Sequence, residues 1–249
     1  MGRHETRPKL NMSQVSPPTL GVEDPSPADS LRYAAPVCRG ELMSLQEPPF
    51  WDPQIEHLDF FRGLVERAPE IRKEVIELAQ SVDGLHDYPK YPIEGGRALY
   101  ENHWTAAPLS RFEGEFISLK QDHQMAALVD QLTAAARQKC PVFTAFIAGW
   151  EADNHLANAF ISRLKPGSII NPHRGWTRDW LRVHLGIACD PQCRITVGSE
   201  TRTWQEGRLL AFKDGGPYLH SVRHEGTVDR IILSMDIRLN FLRGLLRAE

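Results

Sequence analysis

The second half of the chain carries the pattern that most restricts its fold. Short extended runs, from "NAFISRL" near residue 158 to "DRIILSMDIR" near residue 238, follow one another at almost regular spacing. Between them lie segments that favour turns: "KPGS", "DPQ", "QEGR", "DGGP" and "EGTVD". Several short strands with this spacing are typical of an antiparallel β-sandwich or barrel. The fold is therefore predicted to be mainly β, a sandwich with helices before it.

Helical spacing dominates the segment that precedes these strands. Ile55, Leu58, Phe61 and Leu64 recur at intervals of three and four residues, as on one face of a helix. Pro69 can open a second helix, because proline is favoured in the first turn. A further helix is predicted from about Asp122 to Lys139.

The domain organisation follows from these patterns. Residues 1–44 are rich in proline, serine and charge, and are predicted to be disordered or extended. Residues 45–249 are predicted to form one domain. In it, a helical layer over 50–140 packs on a β core over 141–249.

Charge and composition exclude several classes of function. The net charge of −3 is too small to indicate a partner, but no basic run is present, so binding of a nucleic-acid polymer is not expected. No secretory h-region and no apolar run of about 18 residues occurs, so a cytoplasmic protein without membrane contact is expected. The four cysteines are expected to be reduced thiols, with Cys189 and Cys193 of "CDPQC" at strand ends around a turn.

The strand "LRVHLG" places polar residues on one face. Arg182 and His184 are two residues apart and share a face, whereas Leu181, Val183 and Leu185 take the other. A polar face of this kind suits either a cavity that holds an anion or a surface exposed to solvent. The residues of this strand leave both interpretations open.

A second basic pattern follows near the end of the chain. His220 lies in "LHSVRHEG", and Arg230 begins the next strand. A hairpin between these two strands would bring Arg230 close to His220. Each histidine alone is most simply a residue of the surface or the core edge.

The order of these motifs resembles the aspartyl/asparaginyl β-hydroxylase family of Fe(II)- and 2-oxoglutarate-dependent oxygenases. The resemblance rests on "SRLKPGSIINPHRGWTRDWLRVHLG" and "GSETRTWQEGRLLAF", followed by a histidine and by an arginine ten residues later. Shared runs of this length are more specific than a single short motif. The resemblance implies a double-stranded β-helix, a cupin-like jelly roll.

The resemblance also implies the roles of six residues. His173 and His220 would bind the iron, which suits neutral imidazole. Ser162 and Arg230 would hold the distal carboxylate of 2-oxoglutarate, while Arg182 and His184 would hold its metal-chelating end. Gly175 stands where related iron sites carry a carboxylate, so a site with two histidines is expected.

Two tryptophans are expected to contact the substrate. Trp180 stands where family members that act on aspartate or asparagine residues have a carboxylate-binding arginine, and this favours a less acidic or flatter substrate. Trp104 matches a tryptophan of the family's entry region; a core aromatic is the alternative. The acidic residues that precede the second histidine in the family are replaced by the longer "KDGGPYLH".

The sequence therefore predicts a dioxygenase that uses Fe(II), 2-oxoglutarate and O₂ to hydroxylate an unactivated C–H bond. The expected substrate is amino-acid-like, peptidyl or another small metabolite, in natural-product biosynthesis. A halogenase on the same scaffold, acting on a nucleotide or other small metabolite, is the alternative, because iron sites with glycine at this position can bind chloride. A non-catalytic cupin-like binding module is the third possibility.

Overall fold

Two antiparallel β-sheets pack against each other in the part of the chain that the computed structural model describes, which is residues 48–88, 93, 95–110, 123–175 and 178–248. The strands found there are β1 His86–Asp87, β2 Tyr100–Glu101, β3 Trp104–Pro108, β4 Leu156–Leu164, β5 Ile169–His173, β6 Trp180–Ala188, β7 Cys193–Val197, β8 Glu200–Thr203, β9 Leu209–Phe212, β10 His220–His224 and β11 Arg230–Arg238. The order is β1-β3-β4-β11-β6-β9 in one sheet and β2-β5-β10-β7-β8 in the other. The fold is a double-stranded β-helix, as predicted.

Helices cover the outer face of the six-stranded sheet. Those described are α1 Asp52–Ile55, α2 Asp59–Glu66, α3 Ala68–Gln80, α4 His123–Lys139, α5 Pro141–Ala152 and α6 Leu239–Ala248. Apolar side chains of α2, α3 and α5, such as Phe61, Ile71 and Phe143, join the outward residues of the sheet in one buried core. None of the described helices is both long and apolar enough to cross a membrane.

Strand β6 has two buried faces, and this decides between the two interpretations of "LRVHLG". Leu181, Val183 and Leu185 point into the core beneath the helices. Arg182 and His184 point the other way, between the sheets, and are only 8% and 6% exposed. The solvent-exposed alternative is therefore wrong, and the polar face lines the interior of the jelly roll.

The predicted hairpin between the strands of His220 and Arg230 is wrong. Strand β10 pairs with β5 and β7, whereas β11 pairs with β4 and β6 in the opposite sheet. The five residues between β10 and β11 carry the chain from one sheet to the other. The inner faces of both strands still meet the same interior space, because the two sheets face each other.

The helical and β portions are less separate than the sequence pattern predicts. Strands β1 to β3 lie within residues 50–140, and α5 lies within the predicted β portion. The first apolar run forms two helices, α1 and α2, while α3 contains Pro69 in its first turn and α4 ends at Lys139 as predicted. Helix α6 was not predicted. The predicted disordered or extended segment, residues 1–44, lies outside the described residues. Among the described residues, Cys140, Cys189 and Cys193 are free thiols.

Candidate active site

A cavity lies between the two sheets, at the polar inner face of β6. Because side chains alternate along a strand, the inner face of β11 carries Arg230, Ile232, Ser234 and Asp236. The polar residues that line the cavity are Ser162, His173, Arg182, His184, His220, Arg230 and Ser234. The structure thus brings together all six residues for which the resemblance implied an iron or 2-oxoglutarate role.

His173 and His220 face each other at one end of the cavity. They are paired across β5 and β10, and their ring centroids are 4.2 Å apart. The Nδ1–H of His173 donates to the carbonyl of Asn171 at 2.8 Å, which leaves the lone pair of that ring on Nε2. Burial, with the nearby His173 and Arg182, holds the pKa of His220 well below its ordinary value. Two imidazoles, which bind metals in their neutral form, are a suitable donor set for Fe(II).

An acidic group that the sequence interpretation missed lies beside this pair. Asp214 Oδ1 is 3.2 Å from His220 Nε2 and 2.7 Å from Arg182 Nη1. A Cβ built on Gly175 would lie only 1.5 Å from Asp214 Oδ2. Burial raises the pKa of Asp214 to about 6, with Arg182 opposing the shift and Asp236 adding to it. Asp214 is the aspartate of "KDGGPYLH". Because this segment is longer than its counterpart in the family, the sequence alone did not show where the aspartate lies.

Arg182 is held by two carboxylates rather than by one. Its Nε and Nη2 donate to Asp236 at 2.8 and 2.9 Å, and Asp236 also accepts from Asn158 Nδ2 at 2.8 Å. With Asp214, these groups form a buried network across β4, β11, β6 and the segment before β10. Removing one ionic partner of such a network is costly, because it leaves an uncompensated buried charge.

Arg230 lies toward the other end of the cavity, where the described residues supply no counter-ion. It is 1% exposed, and no carboxylate among the described residues lies within 4.0 Å of its guanidinium. Its Nη1 donates to Ser162 Oγ at 3.3 Å, and its guanidinium stacks 4.9 Å from the Trp204 ring. Burial raises the pKa of the adjacent Cys193, so the neutral thiol supplies no charge. A buried guanidinium without a counter-ion is costly, and an anionic ligand would relieve that cost.

The hydroxyl of Ser162 is available to donate a hydrogen bond beside the Arg230 guanidinium. Its Oγ accepts hydrogen bonds from Trp104 Nε1 at 2.9 Å and from Arg230 at 3.3 Å. A serine oxygen has two lone pairs, so these bonds leave its hydroxyl hydrogen to donate elsewhere. Arg230 and Ser162 together could hold a carboxylate.

Trp204 fixes the tautomer of His184. The indole Nε1–H donates to His184 Nδ1 at 3.1 Å, so the hydrogen of the neutral ring is on Nε2. Burial, with the positive charges of Arg182 and Arg230, holds the pKa of His184 well below its ordinary value. His184 therefore offers a neutral N–H donor to the cavity. The tryptophan was part of the sequence motif, but the sequence interpretation gave it no role.

The two tryptophans expected to bind substrate lie in different places. Trp104 lines the cavity, stacks on Tyr88 at 3.7 Å and is bonded to Ser162, so it is associated with the carboxylate site. Trp180 is not among the described residues that line the cavity. It begins β6, opposite Arg238, on the face shared with Arg182.

Unpartnered polar atoms concentrate at the cavity. Five buried side-chain polar atoms of the described residues have no hydrogen-bond partner, and three of them belong to cavity residues: His220 Nδ1, Arg230 Nε and Ser234 Oγ. Buried polar groups are normally paired, so this concentration indicates a ligand site. Among the described residues, no group of three or more His, Cys, Asp or Glu side chains is arranged to hold a metal ion.

The fold and the site define the class of protein: a jelly roll with paired histidines and a buried arginine between its sheets. Residues 66–239 match the family described as aspartyl/asparaginyl beta-hydroxylase, and the chain belongs to this family.

Individual relatives match over shorter segments. The human aspartate beta-hydroxylase domain-containing protein 2 is 39% identical over 88 residues, covering 34% of this chain and 23% of the relative. The human aspartyl/asparaginyl beta-hydroxylase is 36% identical over 77 residues, covering 30% of this chain and 10% of the relative. The match therefore spans a quarter or less of these relatives. A Pseudomonas putida prolyl-4-hydroxylase structure is 19% identical, with a TM-score of 0.34, and the match covers 71% of this chain and 86% of that one.

Proposed function

We propose that the protein is an Fe(II)- and 2-oxoglutarate-dependent dioxygenase that hydroxylates an unactivated C–H bond. The observation that carries this proposal is the pairing of two kinds of site in one cavity. Two facing imidazoles lie at one end, and a buried arginine with no carboxylate partner among the described residues lies toward the other. A keto diacid that chelates a metal needs both a metal site and a separate carboxylate site.

The residues fit these groups as follows. His173 and His220 would hold the iron, and Arg230 with Ser162 would hold the distal carboxylate of 2-oxoglutarate. His184 is the better-placed donor to the metal-chelating end, because Arg182 is already bonded to Asp214 and Asp236. Arg182 then supports the site by fixing these two carboxylates. When bound, iron, 2-oxoglutarate and O₂ supply the chemistry that converts C–H to C–OH.

The protein contributes position and a dry environment. Phe160, Phe212 and Ile232 line the cavity beside the polar groups and limit the access of water. Fixing the reacting groups in such a setting removes much of the entropic cost of bringing them together. The single N–H of His184 and the hydroxyl of Ser162 orient the keto acid without adding charge.

The proposed substrate is an amino-acid-like, peptidyl or other small-metabolite molecule, in natural-product tailoring in the cytoplasm. Trp180 supports this proposal, because the resemblance implies that an arginine at that position holds the carboxylate of aspartyl substrates. An indole in its place favours a flatter or less acidic group.

Hydroxylation is favoured over chlorination by Asp214. Its carboxylate fills the space beside Gly175, where the resemblance would place a chloride. A buried carboxylate repels a halide anion and also takes its volume. The non-catalytic alternative gains no support from the site, since the six expected residues all line the cavity.

Conversion of 2-oxoglutarate to succinate in the presence of Fe(II) tests the proposal. The protein should turn over 2-oxoglutarate, and its anaerobic Fe(II) complex should show the visible absorption of a chelated keto acid. His173→Ala should lose both, whereas His103→Ala, at an exposed histidine, should keep both. If the unmodified protein and His173→Ala are equally inert and neither absorbs, the proposal is wrong. A product mass that gains chlorine when chloride is present would identify the halogenase instead.

A further inference from the structure

Ser234 has a buried hydroxyl that no described part of the protein bonds. It lies in β11, is 0% exposed, and its Oγ has no hydrogen-bond partner. A buried hydroxyl normally finds a partner, because burial without one costs stability. Ser234 also lines the cavity, so a ligand bound there could supply the missing partner.

The strand register places Ser234 beside His184. Ser234 pairs with His184 on β6 and with Phe160 on β4, and all three line the cavity. Directly opposed residues in antiparallel strands have Cβ atoms about 4.5–5.5 Å apart. Because His184 Nδ1 accepts from Trp204, its Nε2–H and the Ser234 hydroxyl are neighbouring donors.

The position along β11 indicates which part of a ligand they would meet. Ser234 is four residues beyond Arg230, about 13 Å along the strand, and two before Asp236, which holds Arg182. The long side chain of Arg230 spans part of that distance. Ser234 therefore lies between the carboxylate site and the two histidines.

We infer that Ser234 is a further binding residue for 2-oxoglutarate, donating a hydrogen bond to an oxygen at its keto-acid end beside His184. This inference rests on the proposed function. It gives the hydroxyl the partner that the described protein residues do not supply. Beside the metal, the keto-acid end would then be held by two neutral side-chain donors rather than by an arginine.

Calorimetric binding of 2-oxoglutarate to the Mn(II)-loaded protein, which needs no turnover, tests the inference. Ser234→Ala should weaken binding by about tenfold, as expected for one hydrogen bond to a charged group. The metal-free variant should be as stable as the unmodified protein or more stable, because an unpartnered buried hydroxyl has been removed. Ser234→Cys, which keeps the volume but is a weak donor, should show the same loss of affinity.

A shorter probe locates the contact. Butyrate has one carboxylate and should use only Arg230 and Ser162. Its binding, measured by competition with 2-oxoglutarate, should be unchanged in Ser234→Ala. Ser162→Ala should weaken the binding of both butyrate and 2-oxoglutarate. If Ser234→Ala weakens both acids equally, the hydroxyl does not act at the keto-acid end and the inference is wrong.

Two further outcomes separate the inference from the proposed function. Equal 2-oxoglutarate affinity in the unmodified protein and Ser234→Ala would overturn the inference and leave the proposed function intact. The same holds if Ser234→Ala and Ser234→Cys only lower stability, since the hydroxyl would then have a structural partner. If the unmodified protein itself binds no 2-oxoglutarate, the proposed function fails, and the inference with it.

Discussion

The carboxylate of Asp214 occupies the space that a side chain on Gly175 would need. A Cβ on Gly175 would meet Asp214 Oδ2 at 1.5 Å and Cγ at 2.4 Å. Arg182 holds the carboxylate in this place, and the backbone N–H of Gly175 donates to the Asp214 carbonyl at 2.8 Å. An acidic group is therefore present beside the histidine pair, although it comes from the segment before His220 rather than from the residue two after His173.

Gly175→Ala should destabilise the protein by about 1–3 kcal/mol, the usual cost of overpacking. Gly175 does not have a left-handed backbone conformation, so the cost arises from contact with Asp214 and not from backbone strain. Urea unfolding of the metal-free protein near neutral pH measures the change in the free energy of unfolding.

The same substitution in an Asp214→Gly background provides the control. Without the carboxylate, the added methyl group has room, and Gly175→Ala should cost at least about 1 kcal/mol less than in the unmodified chain. An equal cost in both backgrounds would show that the clash is not the cause.

The sequence could predict most of the ligand-facing residues, but not how they are held. Alternation along "LRVHLG" and the family resemblance pointed to Arg182 and His184, and the structure places both in the cavity. The partners of Arg182 come from Asp214 and Asp236, which are 32 and 54 residues away. Asp236 meets Arg182 because β11 pairs with β6 in one sheet, and Asp214 comes from the segment between β9 and β10. Local periodicity carries no information about either pairing.

Trp204→Phe should weaken binding of 2-oxoglutarate to the Mn(II)-loaded protein by about five- to tenfold. The variant loses the N–H that fixes the tautomer of His184 but keeps an aromatic ring beside Arg230. His184 would then also populate the form with hydrogen on Nδ1, which presents no donor to the ligand. Calorimetry gives the affinity, and nitrogen NMR of the histidine rings reports the tautomer.

Trp51→Phe is the matched control for this prediction. Trp51 Nε1 is buried but has no hydrogen-bond partner among the described residues, so its removal breaks no bond seen in the structure. Trp51→Phe should leave the affinity unchanged. If both variants weaken binding alike, the loss reflects general packing and not the bond to His184.

Glu74 of α3 caps the neighbouring helix α5, and its removal should lower stability without affecting 2-oxoglutarate binding. Its two carboxylate oxygens accept from the backbone N–H groups of Val142 and Phe143, at 2.7 and 3.2 Å, in the first turn of α5. Glu74→Ala should cost about 1–2 kcal/mol in urea unfolding and leave 2-oxoglutarate binding unchanged. Glu77→Ala makes the same chemical change at an exposed position of α3, the helix that also carries Glu74. Equal losses in the two variants would contradict the capping role.

The fold shows the same limit of sequence-based prediction. The strand runs and the helix ending at Lys139 were predicted correctly, because each has its own local period and turn signals. Helix α5 was missed, since "PVFTAFIAGW" is apolar on nearly every side and has no helical period. Its start is fixed by Glu74, a residue of α3. The hairpin from β10 to β11 was wrong because neighbouring strands of a jelly roll can belong to opposite sheets.

Asp190 should make the stability of the protein sensitive to acid. Its carboxylate accepts hydrogen bonds from the backbone N–H groups of Gln192, Thr227 and Val228. These bonds join the turn after β6 to the segment between β10 and β11. These bonds, chiefly those from Gln192 and Thr227, lower its pKa below 3.8. An acid whose pKa is lower in the folded state adds stability above pH 3.8, and that stability is lost as the pH falls through the folded-state pKa.

Asp190→Asn should therefore lower the urea midpoint near neutral pH and reduce its further decrease on acidification to about pH 3. The amide keeps one acceptor oxygen but has no charge to lose, so the two midpoints should approach each other at the acid end. Asp153→Asn, at an exposed aspartate after α5, should leave the profile of the unmodified protein unchanged. If Asp190→Asn lowers the midpoint by the same amount at every pH, the loss is due to packing, and the carboxylate has no part in the acid response.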